Sequence, residues 1–278
     1  MFKKTLTLVL PLALIAMFGL SSVSCNTVNS LAKSSNPYST ADEIKLGQET
    51  DAQLKADTKT YRFLKSGDAN YSQIVGYVNR IKDKFLAAND VPFEGQYNYQ
   101  VQVVNEDVLN AFATTGGYLY MYTGIMKFLD NEAQLAGVIG HEMGHISNRH
   151  ITNNMTAQSI TGTLASVLLG DKASDMTKTA AGLAYNLSFL KYSRFAEEEA
   201  DQSGAEWMVR TDYNPYEMQG FFKKMQNAGG GRSPEFLSTH PDPASRVQHI
   251  GEVLGKLNAR NSGKTYDAEY QAFKRLLP

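Results

Sequence analysis

A single cysteine among 278 residues cannot close an internal disulfide, so no disulfide framework holds this fold. Charge of either sign is not in excess: 27 Lys and Arg face 28 Asp and Glu, a formal net charge of −1. Nucleic-acid binding draws its affinity from neutralised phosphates, and this balance argues against nucleic acid as the main partner. Beyond the first 24 residues no apolar run approaches the roughly 20 residues of a membrane-spanning helix. The longest comparable run, Leu164 to Leu169, is far too short to cross a bilayer. Internal repeats are lacking, and no second composition shift marks a further domain.

What is present begins with the N-terminus. Lys3 and Lys4 precede an uncharged apolar run from Leu6 to Leu20, and Ser22-Val23-Ser24 supplies small residues after it. That order reads as an export signal over 1–24, cut before Cys25. Cys25, the only cysteine, sits where bacterial lipoproteins carry their lipidated first residue, although Ser22 stands where such sites usually have leucine. The alternatives are an unlipidated exported chain cut at the same bond and a retained N-terminal anchor. Residues 25–40, rich in Ser, Asn and Thr, read as a flexible tether. The remainder, 41–278, reads as one domain.

Helical periodicity marks 41–64 and 71–88, the latter with Ile74, Tyr77, Val78, Ile81 and Phe85 on one face. The period then drops to two, with Tyr97, Tyr99, Val101 and Val103 alternating with Asn98, Gln100 and Gln102, a half-buried strand. Asn110 to Thr114, a Gly116-Gly117 turn and Tyr118 to Thr123 predict a hairpin. Helices are expected over 131–149, 153–169, 173–190, 195–211, 215–227 and 243–258. The outline is mostly α with one small sheet.

His141-Glu142-Met143-Gly144-His145 carries the chemistry. Residues four apart share a helix face, so two imidazoles at this spacing grip one ion, and Glu142 on a neighbouring face reaches a water on that ion. Asp130 or Asn131 would cap the helix. A catalytic zinc normally takes three protein ligands, so a third comes from elsewhere. The run Ser193 to Asp201 offers Glu197 and Asp201, four apart on one face. One carboxylate would bind the metal and the other accept the free ring N–H of a ligand histidine. Glu198 and Glu199 fall away from that face, and His150 and His249 read as helix-surface residues.

Together these segments resemble the gluzincin peptidase family of HtpX-type heat-shock proteases and prenyl-protein (CAAX) proteases, over about 40–258. Within it the likeness is greatest to soluble periplasmic lipoprotein members of the BepA and LoiP type. The shared segments are Asn110-Ala111-Phe112-Ala113 with Gly116-Gly117, the His141–His145 motif, Ser193-Arg194 with Glu197, Glu199, Ala200 and Asp201, and Thr239-His240-Pro241 with Arg246. The resemblance implies an α+β, mainly helical zincin-like (gluzincin) catalytic domain with one small sheet beside the metal helix. It implies one zinc ion on His141, His145 and Glu197, with Glu142 as the base and Asp201 supporting the ligands. His240 would either sit on the zinc and hold the enzyme inactive or help the transition state. Arg246 would either neutralise an oxyanion or pair with a carboxylate. The implied activity is hydrolysis of peptide bonds in unfolded or misassembled envelope proteins, with a membrane contact through lipid on Cys25. A latent peptidase acting as a chaperone-like binding protein is the alternative.

Overall fold

Helix-forming periodicity and caps set the element order of the computed structural model, which describes residues 25–88, 90–158, 183–184, 192–227, 235–240 and 243–278. The chain forms two compact units, 1–37 with 153–170 and 38–152 with 171–278. The described part of the first holds helix α1 (Cys25–Ser34) and residues 153–158, and Asn36 donates to Asn153 over 2.8 Å. An irregular segment was expected at α1. The tether expected over 25–40 thus includes this helix.

The second unit carries everything else. Ser39 and Asp42 cap α2 (Thr40–Ala56) reciprocally, which starts the helix one residue before the expected 41. The chain leaves it at Asp57, and Phe63 bridges to Val104 instead of continuing a helix to 64. Helix α3 (Tyr71–Ala88) buries the face that the spacing selected: Ile74, Val78, Ile81 and Phe85. Three strands follow, β1 (Gln100–Val104), β2 (Ala111–Ala113) and β3 (Tyr118–Tyr122), in the order β1-β3-β2. β1 runs parallel to β3, with Gln100 opposite Tyr118, and β2 runs antiparallel, with Phe112 opposite Tyr120. The predicted hairpin is therefore β2–β3. Gly116 turns it at φ 72°, where a side chain would meet the backbone of Ile44 at 2.8 Å.

Helix α4 (Thr123–Phe128) leads into α5 (Glu132–Ser147), capped by the Asn131 side chain accepting from Gln134 N–H. Every residue of α5 is buried. The rest of the unit packs around this helix: α6 (Arg194–Val209), α7 (Glu217–Asn227), α8 (Glu235–Thr239), α9 (Pro243–Lys256) and α10 (Asp267–Lys274). The result is a mainly helical zincin-like fold with one small sheet. α4, α8 and α10 are shorter than a periodicity argument resolves. The helix expected at 153–169 is seen only over 153–158, and that at 173–190 lies almost wholly outside the described residues.

Two features fix α5 in place. At its N-terminal end buried Glu132 accepts from Arg80 and from Tyr213 (2.6 Å), with Tyr77 as a third donor. Along its length it crosses α6 closely, because Gly204 lies against Gly140: a Cβ at Gly204 would stand 3.0 Å from both Gly140 C and His141 N. No helix among the described residues is long and apolar enough to cross a membrane.

Candidate metal centre

The α5–α6 crossing places the two imidazoles of one helix against the carboxylates of the other. His141 Nε2 and His145 Nε2 stand 2.9 Å apart, and Glu197 Oε1 is 3.5 Å from His145 Nε2. Glu197 Oε2 is 3.6 Å from His141 Nε2. A fourth donor arrives from the end of α8. His240 Nδ1 lies 3.2 Å from His141 Nε2 and 3.0 Å from Glu197 Oε1. All four residues are buried, and their ligand atoms lie within 4.8 Å of one another.

Metal–ligand bonds of about 2.0–2.2 Å give a tetrahedron with edges of roughly 3.3–3.6 Å, close to these separations. The protonation pattern agrees. His141 Nδ1 is 3.0 Å from Asp201 Oδ1 and 2.9 Å from Arg246 Nη2; with its proton on that nitrogen, towards Asp201, its Nε2 lone pair faces the cluster. Burial, then Arg246, pushes His141 down to about 4, and burial with the neighbouring His141 holds His145 well below the ordinary range. Both rings are thus neutral at pH 7, the form that ligates. Converging lone pairs in a buried site are what a cation satisfies, so the donor set fits a metal ion.

Glu142 lies beside the cluster, fully buried. Among the described residues neither of its oxygens has a hydrogen-bond partner; Oε1 is 3.6 Å from His240 Nε2. Burial pushes its carboxyl up to about 7. A general base is most effective with a pKa near the working pH.

Arg246, from α9, is buried and ties the carboxylates together. Its Nε and Nη2 grip Asp201 at 2.8 and 2.6 Å, and Nη1 is 2.6 Å from Glu197 Oε2. Its guanidinium also lies 4.0 Å from the centre of the Phe222 ring. Burial opposes the charge on Asp201, but Arg246 outweighs it and holds the carboxyl at about 2. Burial likewise opposes charge on His240, and Glu197 with Glu142 outweighs it, raising that imidazole's pKa.

Every site residue expected from the sequence, Glu142, His141, His145, Glu197, Asp201, His240 and Arg246, is brought into this one cluster. His249 is half-buried, with Nε2 3.1 Å from the Glu198 carbonyl. His150 corrects the expectation of a surface histidine: it is buried, with Nδ1 2.8 Å from His145 Nδ1. The reason is a break after α5. Five residues along a straight helix turn by about 140°, which would carry His150 away from His145. Arg149 instead adopts φ 58°, which breaks the helical path before the helix resumes at 150. Sequence reading also missed Tyr192, whose ring stacks on His145 at 4.0 Å, and Phe236, which stacks on His240 at 4.3 Å. Aromatic residues carry no spacing signal that would have found them.

Two histidines and a glutamate meeting between two helices, beside an unpartnered buried carboxylate, define a metallopeptidase-type centre. Comparison with known proteins agrees. The model of Peptidase family M48 matches residues 72–254, more than half the chain, and the chain belongs to that family. It is 31% identical over 203 residues to the beta-barrel assembly-enhancing protease of Yersinia pestis, covering 69% of this chain and 41% of that protein. It is also 31% identical over 175 residues to the mitochondrial metalloendopeptidase OMA1 of Arabidopsis thaliana, covering 63% of this chain and 35% of that one. Metalloprotease YcaL of Escherichia coli is 29% identical over 167 residues, 56% of this chain and 62% of its own. The chain thus spans less than half the length of the first two relatives.

Proposed function

We propose that this chain is a zinc-dependent endopeptidase that hydrolyses peptide bonds in unfolded or misassembled proteins of the bacterial cell envelope. The observation that carries the reading is the convergence of His141, His145 and Glu197 donor atoms beside the unpartnered carboxylate of Glu142. Two imidazoles and a carboxylate at these separations suit zinc. The envelope assignment is supported by the export-type N-terminus and by the similarity to beta-barrel assembly-enhancing proteases. Lipid on Cys25 would hold the chain at a membrane surface on the periplasmic side, and mass spectrometry of the mature N-terminus tests that attachment.

In this reading His141, His145 and Glu197 hold the ion, and Asp201 fixes the ring of His141. Zinc, when bound, supplies a Lewis acid that polarises a carbonyl and lowers the pKa of water from 15.7 to about 7. Glu142 takes a proton from the attacking water and returns it to the leaving amine. β2 is an edge of the described sheet and offers backbone groups to which an extended substrate adds as a strand. Arg246, ion-paired with Asp201 and Glu197, holds those carboxylates in place. His240 belongs to the donor set; as a fourth ligand it would compete with water for the ion and keep the enzyme latent until displaced.

The test is zinc content and casein hydrolysis of the mature chain for wild type, Glu142→Gln and His240→Ala. One zinc per chain, with cleavage lost in Glu142→Gln and raised in His240→Ala, is the expected result. Zinc without cleavage in any of the three would favour a chaperone-like binding protein, and absence of zinc would overturn the assignment.

A further inference from the structure

The two ligand histidines are supported differently. His141 Nδ1 lies 3.0 Å from Asp201 Oδ1, with Arg246 Nη2 2.9 Å from the same nitrogen. Behind His145 the acceptor is another imidazole: His150 Nδ1 at 2.8 Å, and beyond it His150 Nε2 stands 3.3 Å from Glu199 Oε2. We propose that His150 and Glu199 form a positioning relay that fixes the tautomer of His145 and presents its Nε2 lone pair to the metal.

With the metal held through His145 Nε2, the protons behind it follow in order. Two ring nitrogens 2.8 Å apart need one proton between them. For His145 to ligate through Nε2, that proton belongs to His145 Nδ1, and His150 accepts it through a bare Nδ1. His150 then carries its own proton on Nε2, the nitrogen that faces Glu199. The carboxylate at the end of the relay therefore selects the tautomer of His150, and His150 selects that of His145. Tyr192 closes the far face of the His145 ring by stacking at 4.0 Å, so rotation is blocked while the tautomer is set.

The backbone is built to hold this contact. Arg149, at φ 58°, breaks the helix between His145 and His150, and its guanidinium is gripped by the buried carboxylate of Glu43, with Nε at 3.0 Å from Oε1. Thr152 and Tyr97 donate to the same carboxylate. A left-handed conformation at a non-glycine residue persists only when its surroundings over-determine it, and Glu43 does so here.

The relay rests on the metal-site reading, so the experiment separates the two. Zinc affinity is measured by competition with a chromophoric chelator on the mature chain for wild type, His150→Ala, His150→Asn, Glu199→Ala and Glu198→Ala. Ring tautomers are read in the metal-free protein by ¹⁵N NMR of the chain's five histidines. The expected result is a 10–100-fold loss of zinc affinity in His150→Ala, the range typical of groups behind a metal ligand. His150→Asn, whose amide oxygen accepts the same proton, recovers most of it. Glu199→Ala shows a smaller loss and Glu198→Ala none. In wild type His145 carries its proton on Nδ1, and that preference is lost in His150→Ala. Unchanged affinity in both His150→Ala and Glu199→Ala, or equal loss in His150→Ala and His150→Asn, overturns the relay. Should His150→Ala not fold, Glu199→Ala and the wild-type tautomer decide. Should wild type bind no zinc, the metal reading fails, and the tautomer of His145 still decides the relay.

Discussion

Replacing Gly204 with alanine and Gly255 with alanine is the same chemical change in two helices, and the structure gives the two opposite signs. A Cβ at Gly255 meets nothing within 4 Å. There the substitution removes the helix penalty of glycine and stabilises by up to about 1 kcal/mol. At Gly204 the added carbon stands 3.0 Å from Gly140 C and His141 N, and 3.1 Å from Met218 Cε. Ordinary carbon contacts fall at about 3.5–4.0 Å, so α5 and α6 must part by roughly 0.5 Å. Overpacking of this kind costs about 1–3 kcal/mol, which outweighs the gain of about 1 kcal/mol in helix propensity. A net loss of about 1 kcal/mol lowers the melting temperature by about 2–4 °C in a domain of this size. The displacement also separates Glu197 from His141 and His145, and functional constellations tolerate only about 0.5 Å. Zinc affinity is therefore expected to fall roughly tenfold, of the order seen when groups behind metal ligands are changed. The assay is thermal unfolding of the metal-free protein together with chelator competition. A Gly204→Ala variant that melts higher, as Gly255→Ala should, and binds zinc as wild type does would refute the close-crossing argument.

Arg246→Met strands the buried carboxylates of Asp201 and Glu197 and should cost about 3–5 kcal/mol, read by chemical denaturation. The depressed pKa of Asp201 supplies stability that is complete above its unfolded value of 3.8 and lost as pH falls towards about 2. Acid titration of the metal-free protein should therefore show a loss of about 2 kcal/mol between pH 4 and 2 that Asp201→Asn lacks. Glu132→Gln, which weakens the charge-assisted contact with Arg80, should destabilise by about 1.5–3 kcal/mol, measured by urea unfolding. Casein cleavage by the His240→Ala protein should exceed wild type, and an equal or lower rate would remove His240 from the role of gate.

The sequence made the ligand set legible because it is written in helical spacing. His141 and His145 are four apart on one helix, and Glu197 and Asp201 are four apart on another, so each pair is a local signal. The hairpin was legible because Gly116-Gly117 marks a turn between the strand-like runs Asn110 to Thr114 and Tyr118 to Thr123. His240 and Arg246 were found through the resemblance, since nothing local says that the end of a five-residue helix reaches a metal centre. His150 was misread for a definable reason: its position depends on one left-handed residue, Arg149, set by a carboxylate 106 positions earlier in the chain. Long-range contacts of that kind leave no periodic trace. The same holds for Glu132, whose partners Arg80 and Tyr213 come from different helices and loops.

The two anchors of α5 divide the centre mechanically. Glu132 pins the helix at one end through Arg80, Tyr77 and Tyr213, while just beyond the other Arg149 is bolted to Glu43. A rod fixed at both ends neither slides nor turns, and α6 is wedged against it at Gly204. His141, His145 and Glu197 therefore belong to a rigid chassis. His240 alone of the four donors comes from outside these two helices, directly after the five-residue α8. If His240 is the gate proposed above, such a centre would be uncorked without being dismantled.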